Sequence, residues 1–139
     1  MANSIFQICR LDHIAIRTLD WEKSLDFYVN GLGMRQQNEW GEAPERAAML
    51  ELGTDGRIEL FEGGTTGEKP PLSQVGEWVH LAINFDDVDL AFERACAHGG
   101  TPANPPKDLD VPARPEPMNV RLAFVQGPSG EVIEICKNR

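Results

Sequence analysis

The chain nearly repeats itself, and that constrains its fold more than any other feature. Leu11-Asp12-His13-Ile14-Ala15-Ile16-Arg17 is followed by a short acidic stretch and a helix-forming segment. Further along, Trp78-Val79-His80-Leu81-Ala82-Ile83-Asn84 is followed by the same succession. Each half closes on a glutamate among aliphatic residues, Ile58-Glu59-Leu60 and Ile133-Glu134-Ile135. A chain written this way folds as two like modules. Each module brings one histidine on an opening strand and one glutamate on a closing strand.

The 139 residues suffice for one domain with its own core. The expected division is a single domain over 1–139, with module one at about 9–62 and module two at about 77–137. Between them, 63–76 is a linker rich in Gly, Thr, Pro and Ser. Residues 10–17 alternate as a strand. Asp20 then caps a helix whose inward stripe is Trp21, Leu25, Tyr28 and Leu32. Asn30-Gly31 and Gly33 end it. Strands follow at 34–40, 46–53 and 56–62, with a turn at Thr54-Asp55-Gly56. The second copy reads as a strand at 77–84 and a helix capped near Asp86 or Asp87, with stripe Val88, Phe92 and Ala95. The proline-laden stretch 102–117 reads as an irregular loop, a lid or a covering segment. Strands at 118–126 and 130–136 close the chain around Gly127-Pro128-Ser129-Gly130. The fold class is therefore α+β: two tandem βαβββ modules forming a cupped mixed sheet, with helices on the outer face.

The alternation also places the four repeated side chains. His13 shares a face with Leu11 and Arg17, away from Ile14 and Ile16. His80 lies opposite Val79, Leu81 and Ile83; Glu59 opposite Ile58 and Leu60; Glu134 opposite Ile133 and Ile135. All four turn from the aliphatic sides toward a shared concavity. A glutamate buried among isoleucines is costly without a donor or a cation. Two imidazoles and two carboxylates suit one divalent metal ion: Zn, Ni, Co, Mn or Fe(II).

The formal charge of −9 disfavours nucleic acid and anionic membrane as partners, which are bound through basic surface. A small-molecule substrate is expected, and a few arginines in a pocket can still hold an anion. No apolar run reaches a membrane span and no signal-peptide pattern opens the chain, so a cytoplasmic location is expected. Cys9, Cys96 and Cys136 show no CxxC spacing, which argues against a disulfide framework or a structural zinc knuckle. Cys96 reads as a buried thiol, and Cys136 shares the face of Glu134.

These segments, together with Ser24-Leu25-Asp26-Phe27-Tyr28, Leu32-Gly33-Met34 and Leu122-Ala123-Phe124 through Pro128-Ser129-Gly130-Glu131-Val132-Ile133-Glu134-Ile135, resemble the vicinal-oxygen-chelate superfamily over about residues 9–137. That superfamily includes glyoxalase I, methylmalonyl-CoA epimerase, extradiol dioxygenases and fosfomycin-resistance proteins. The resemblance implies metal ligands at His13, Glu59, His80 and Glu134, as in glyoxalase I. It implies Glu134 as the catalytic base, with Glu59 acting on the opposite face of the carbon. Arg17 matches an arginine that contacts the glutathione carboxylate, and Arg121 or Arg114 could supply further substrate contacts. Gly63 stands where an asparagine is expected, and Glu116 and Met118 where a basic residue is expected, so glutathione as cosubstrate is left open. A homodimer is also implied, with His13 and Glu59 of one subunit meeting His80 and Glu134 of the other. The implied activity is a glyoxalase I-like lyase or isomerase that moves a proton next to a metal-chelated oxygen pair, the nearest named reaction being that of lactoylglutathione lyase. Alternatives are an epimerase of 2-substituted acyl thioesters, an Fe(II) extradiol-type dioxygenase, and a non-catalytic drug-binding protein.

Overall fold

Aspartates start both helices. Asp20 accepts a hydrogen bond from the Lys23 amide at 3.1 Å, and Asp87 from the Leu90 amide at 3.0 Å, each satisfying an otherwise orphaned donor. A computed structural model describes residues 13–54, 56–65, 80–111 and 117–139. The expected strand segments at 10–12 and 77–79, Asp55 and most of the linker lie outside them. Module one runs β1 (His13–Arg17), α1 (Trp21–Leu25), a π-helical segment (Asp26–Gly31), β2 (Arg35–Trp40), β3 (Ala47–Glu51) and β4 (Arg57–Phe61). Module two runs β5 (Leu81–Asn84), α2 (Val88–Ala97), β6 (Thr101–Val111), β7 (Met118–Gln126) and β8 (Val132–Asn138). No helix among the described residues is long and apolar enough to cross a membrane.

The repeat is exact at the level of topology. The sheets have strand orders β1-β4-β3-β2 and β5-β8-β7-β6. β1 runs parallel to β4 and β5 parallel to β8, and the remaining neighbours are antiparallel. In each sheet the glutamate strand is therefore central. Glu59 lies between Ala15 and Met49, and Glu134 between Ala82 and Phe124.

One core joins the modules. Phe27, Tyr28, Leu50, Ile58 and Leu60 of the first cluster with Val88, Ala91, Val125, Ile133 and Ile135 of the second. The wider π-helical turn brings Phe27 and Tyr28, adjacent in sequence, inward together. A Cβ on Gly31 would stand 3.0 Å from the His98 Cβ, so glycine there permits the close approach to the end of α2. Polar contacts reinforce the junction. The Tyr28 hydroxyl donates to Glu131 Oε1 at 2.7 Å. The Leu19 amide donates to Ser129 Oγ at 2.9 Å, and Thr18 Oγ1 lies 2.8 Å from that same oxygen. Both sheets give their helix-facing sides to this shared core, so their other faces are turned away from it.

The proline-rich stretch departs from expectation. Residues 101–111 are not an irregular loop but the long strand β6, at the edge of its sheet. An edge strand has one side that needs no ladder donors, so prolines are tolerated there. Register shifts between Pro102 and Asn104 and between Asn104 and Lys107 absorb the rest. Residues 112–116 lie outside the described set.

Candidate metal centre

The alternation that buries Ile58, Leu60, Ile133 and Ile135 in the core turns Glu59 and Glu134 to the outward faces. On the first face His13 Nε2 lies 3.3 Å from Glu59 Oε2. On the second, His80 Nε2 lies 2.8 Å from Glu134 Oε2. The side chains of the two pairs are 38% and 19%, and 34% and 18%, exposed. Each imidazole nitrogen faces a carboxylate oxygen within reach of an N–H···O hydrogen bond or of shared coordination to one ion. Ligand atoms bound to one divalent ion at about 2.1 Å, and about 90–109° apart, stand about 3.0–3.4 Å from each other. The His13–Glu59 separation falls inside that window and the His80–Glu134 separation just below it, so both pairs suit the donor chemistry of such an ion. Among the described residues, no three His, Cys, Asp or Glu side chains converge as a metal-holding group. The two His–Glu pairs thus stand on two different sheets of one chain.

Arg17 lies on the first face. Its Nη1 donates to the Glu62 carbonyl at 2.9 Å, and its guanidinium lies 5.4 Å from the Phe61 ring centroid. Arg121 does not reach the second face. It alternates with Ala123 and Val125, both fully buried on the helix side. There Asp89 of α2 takes two of its hydrogen bonds at 2.7 Å and Asp108 a third at 2.9 Å. Arg121, expected to supply a further substrate contact, has its guanidinium held by those two aspartates behind the sheet. Arg114 lies outside the described residues.

Cys136 does share the face of Glu134, with Sγ 3.6 Å from the Ile83 carbonyl. Burial, and then the Glu134 charge, push its thiol above the ordinary range, which makes a poor nucleophile. Cys96 is likewise raised by burial. Phe124 was not singled out from the sequence. It stands directly opposite Glu134 and meets the His80 ring edge-to-face, with centroids 5.5 Å apart. Its alternation with Leu122 on the Glu134 face was the available signal. Both faces also carry exposed apolar surface: Trp40 on the first, Leu109 and Met118 on the second.

Comparison with known proteins agrees with this architecture. The model of the Glyoxalase/Bleomycin resistance protein/Dioxygenase superfamily matches residues 10–135. A probable lactoylglutathione lyase of Vibrio cholerae is 27% identical over 135 residues, covering 94% of this chain and 91% of that protein. A 2-epi-5-epi-valiolone epimerase of an Actinomyces species is 26% identical over 149 residues, covering 88% and 81%. The crystal structure of glyoxalase I from Zea mays superposes with a TM-score of 0.64 at 23% identity. It covers 91% of this chain, which spans 44% of the maize chain.

Proposed function

Because this chain belongs to the Glyoxalase/Bleomycin resistance protein/Dioxygenase superfamily, we propose that it is a metal-dependent lyase or isomerase. It moves a proton on a carbon beside two neighbouring oxygens of a small molecule, and the nearest named reaction is that of lactoylglutathione lyase. One observation carries this: two His–Glu pairs occupy equivalent registers of two repeated sheets, each on an outward face. We further propose that two copies assemble as a homodimer, apposing the His13–Glu59 face of one to the His80–Glu134 face of the other. The apolar residues Trp40, Leu109 and Met118 would be covered in that contact. The substrate is a small molecule met in the cytoplasm, with neither nucleic acid nor membrane as a partner.

His13, Glu59, His80 and Glu134 would hold the ion. When bound, a divalent ion supplies Lewis acidity toward the substrate oxygens and makes the neighbouring C–H easier to ionise. Glu134 takes that proton on a carboxylate oxygen and returns it to the adjacent carbon. Glu59 serves the same purpose from the opposite side. Phe124 and Phe61 limit water around the carboxylates. Arg17 presents a cation to a substrate carboxylate. Epimerisation is a second reading, favoured by the name of the Actinomyces relative: the same groups could remove and return a proton at one carbon.

The test is metal content by plasma mass spectrometry, on protein prepared without chelators or a histidine tag, beside Glu59→Gln. About one divalent ion per chain, held more weakly by the variant, is expected. No uptake from Ni, Co, Zn, Mn or Fe(II) would overturn the proposal. With metal restored, thiohemiacetal isomerisation and acyl-thioester epimerisation separate the two reactions.

A further inference from the structure

His80 lies just before the strand ladder that would fix its backbone, since pairing of β5 with β8 begins at Leu81. Its imidazole is also one-third exposed. Side chains must therefore set the direction of the ring. One is Glu134, 2.8 Å from Nε2. Another, among the described residues, is Phe124, whose ring stands at 72° to the imidazole with centroids 5.5 Å apart. Phe124 reaches His80 from two strands away: β8 lies between β7 and β5, and neighbouring strands are about 4.8 Å apart. Only a large side chain spans that gap across the top of Glu134. At the same register in module one, opposite Glu59, the residue is Met49. The repeat is thus broken where a ring meets the imidazole of module two.

We propose that Phe124 is a positioning residue for His80. Its ring sets the plane of the imidazole and keeps Nε2 on Glu134 before any ion arrives. Two planar rings in an edge-to-face contact restrict each other's rotation, which a flexible aliphatic chain does not do. The contact also shields one side of the His80–Glu134 pair from water, which strengthens the hydrogen bond between them. The value of this for catalysis rests on the metal-centre reading; the ring contact itself does not.

The experiment uses the full-length metal-free protein, with side-chain nitrogen–proton correlation spectra of the histidines and zinc titration. Phe124→Leu removes the ring, Phe124→Tyr keeps it, and Met49→Leu is the control in module one. We expect a cross-relaxation signal between the Phe124 and His80 rings in the unmodified protein. Phe124→Leu shifts and broadens the His80 resonances, leaves those of His13 in place, and weakens zinc uptake roughly twofold to tenfold. Phe124→Tyr restores both, and Met49→Leu leaves His80 unchanged. Absence of the ring-to-ring signal, or a folded Phe124→Leu protein with unchanged His80 resonances and zinc affinity, overturns the proposal. If Phe124→Leu does not fold, the signal in the unmodified protein and the Phe124→Tyr spectrum decide. If the resonances move as expected while no variant takes up any ion, the ring positioning stands and the metal-centre reading fails.

Discussion

Mixing two inactive variants tests whether the centre is built between chains. His13–Glu59 and His80–Glu134 lie on two different sheets of one chain and do not converge among the described residues, so under the proposed homodimer a complete set would take one pair from each of two copies. Glu59→Gln damages one pair and Glu134→Gln the other. In a heterodimer of the two, one site receives both damaged pairs and the other receives both intact pairs. Random pairing in a one-to-one mixture makes about half the dimers heterodimers, so about one quarter of the normal number of intact sites returns. The variants would be mixed by co-refolding, dialysed against a weak chelator, and measured for retained metal and turnover. A mixture of Glu59→Gln with His13→Ala provides the control: both changes strike the same pair, so no intact site forms. If the first mixture stays at the level of its parents while dimers are shown to exchange, the inter-chain centre is refuted. If each variant alone retains full metal, the four-ligand set is refuted.

Two further outcomes follow from the arginines. Arg121→Ala leaves KM unchanged and lowers the unfolding midpoint only slightly, because its partially exposed ion pairs lie behind the sheet and are screened by solvent. Arg17→Ala, on the face of the His13–Glu59 pair, raises KM roughly tenfold or more if it holds a substrate carboxylate; equal effects of the two changes on KM would contradict the assignment of faces. Glu62 is held below its ordinary value of 4.5 chiefly by the side-chain hydrogen bond from Arg46. The unfolded chain then binds more protons in that window, so this contribution is present above the ordinary glutamate value and is lost as pH falls through the lowered one. Glu62→Gln should flatten the acid side of stability, followed as the unfolding midpoint from neutral down to about pH 3; an unchanged acid slope would exclude it.

The strands bearing His13, Glu59 and Glu134 could be read from the sequence because a half-buried strand alternates, and their aliphatic neighbours mark the core side. The aspartate caps of both helices were equally legible, since a local hydrogen bond determines them. The two-residue spacing of Arg121 from Ala123 and of Ala123 from Val125 already carries its place on the helix side, which residue type alone does not. Prolines at 102, 105 and 106 argued against a strand, because a central strand needs every amide donor. Whether a strand is central or at an edge is a tertiary fact that no local pattern carries. The same holds for the separate placement of the two His–Glu pairs. That follows from how the helical segments pack into one core, where Gly31 meets His98 and Tyr28 meets Glu131.

The prolines of β6 have a consequence for what this protein does not become. An open sheet edge is a template on which further strands can add, and the products are fibres or disordered aggregates. Along β6, Pro102, Pro105 and Pro106 offer no amide hydrogen, and the broken register denies an incoming strand a regular row of partners. The outer edge of the other sheet, β2, is defended differently: Arg35 is paired with Glu51 and Gln36 with Glu39 along an exposed strand. With β2 and β6 both guarded, growth by strand addition is blocked at those two edges.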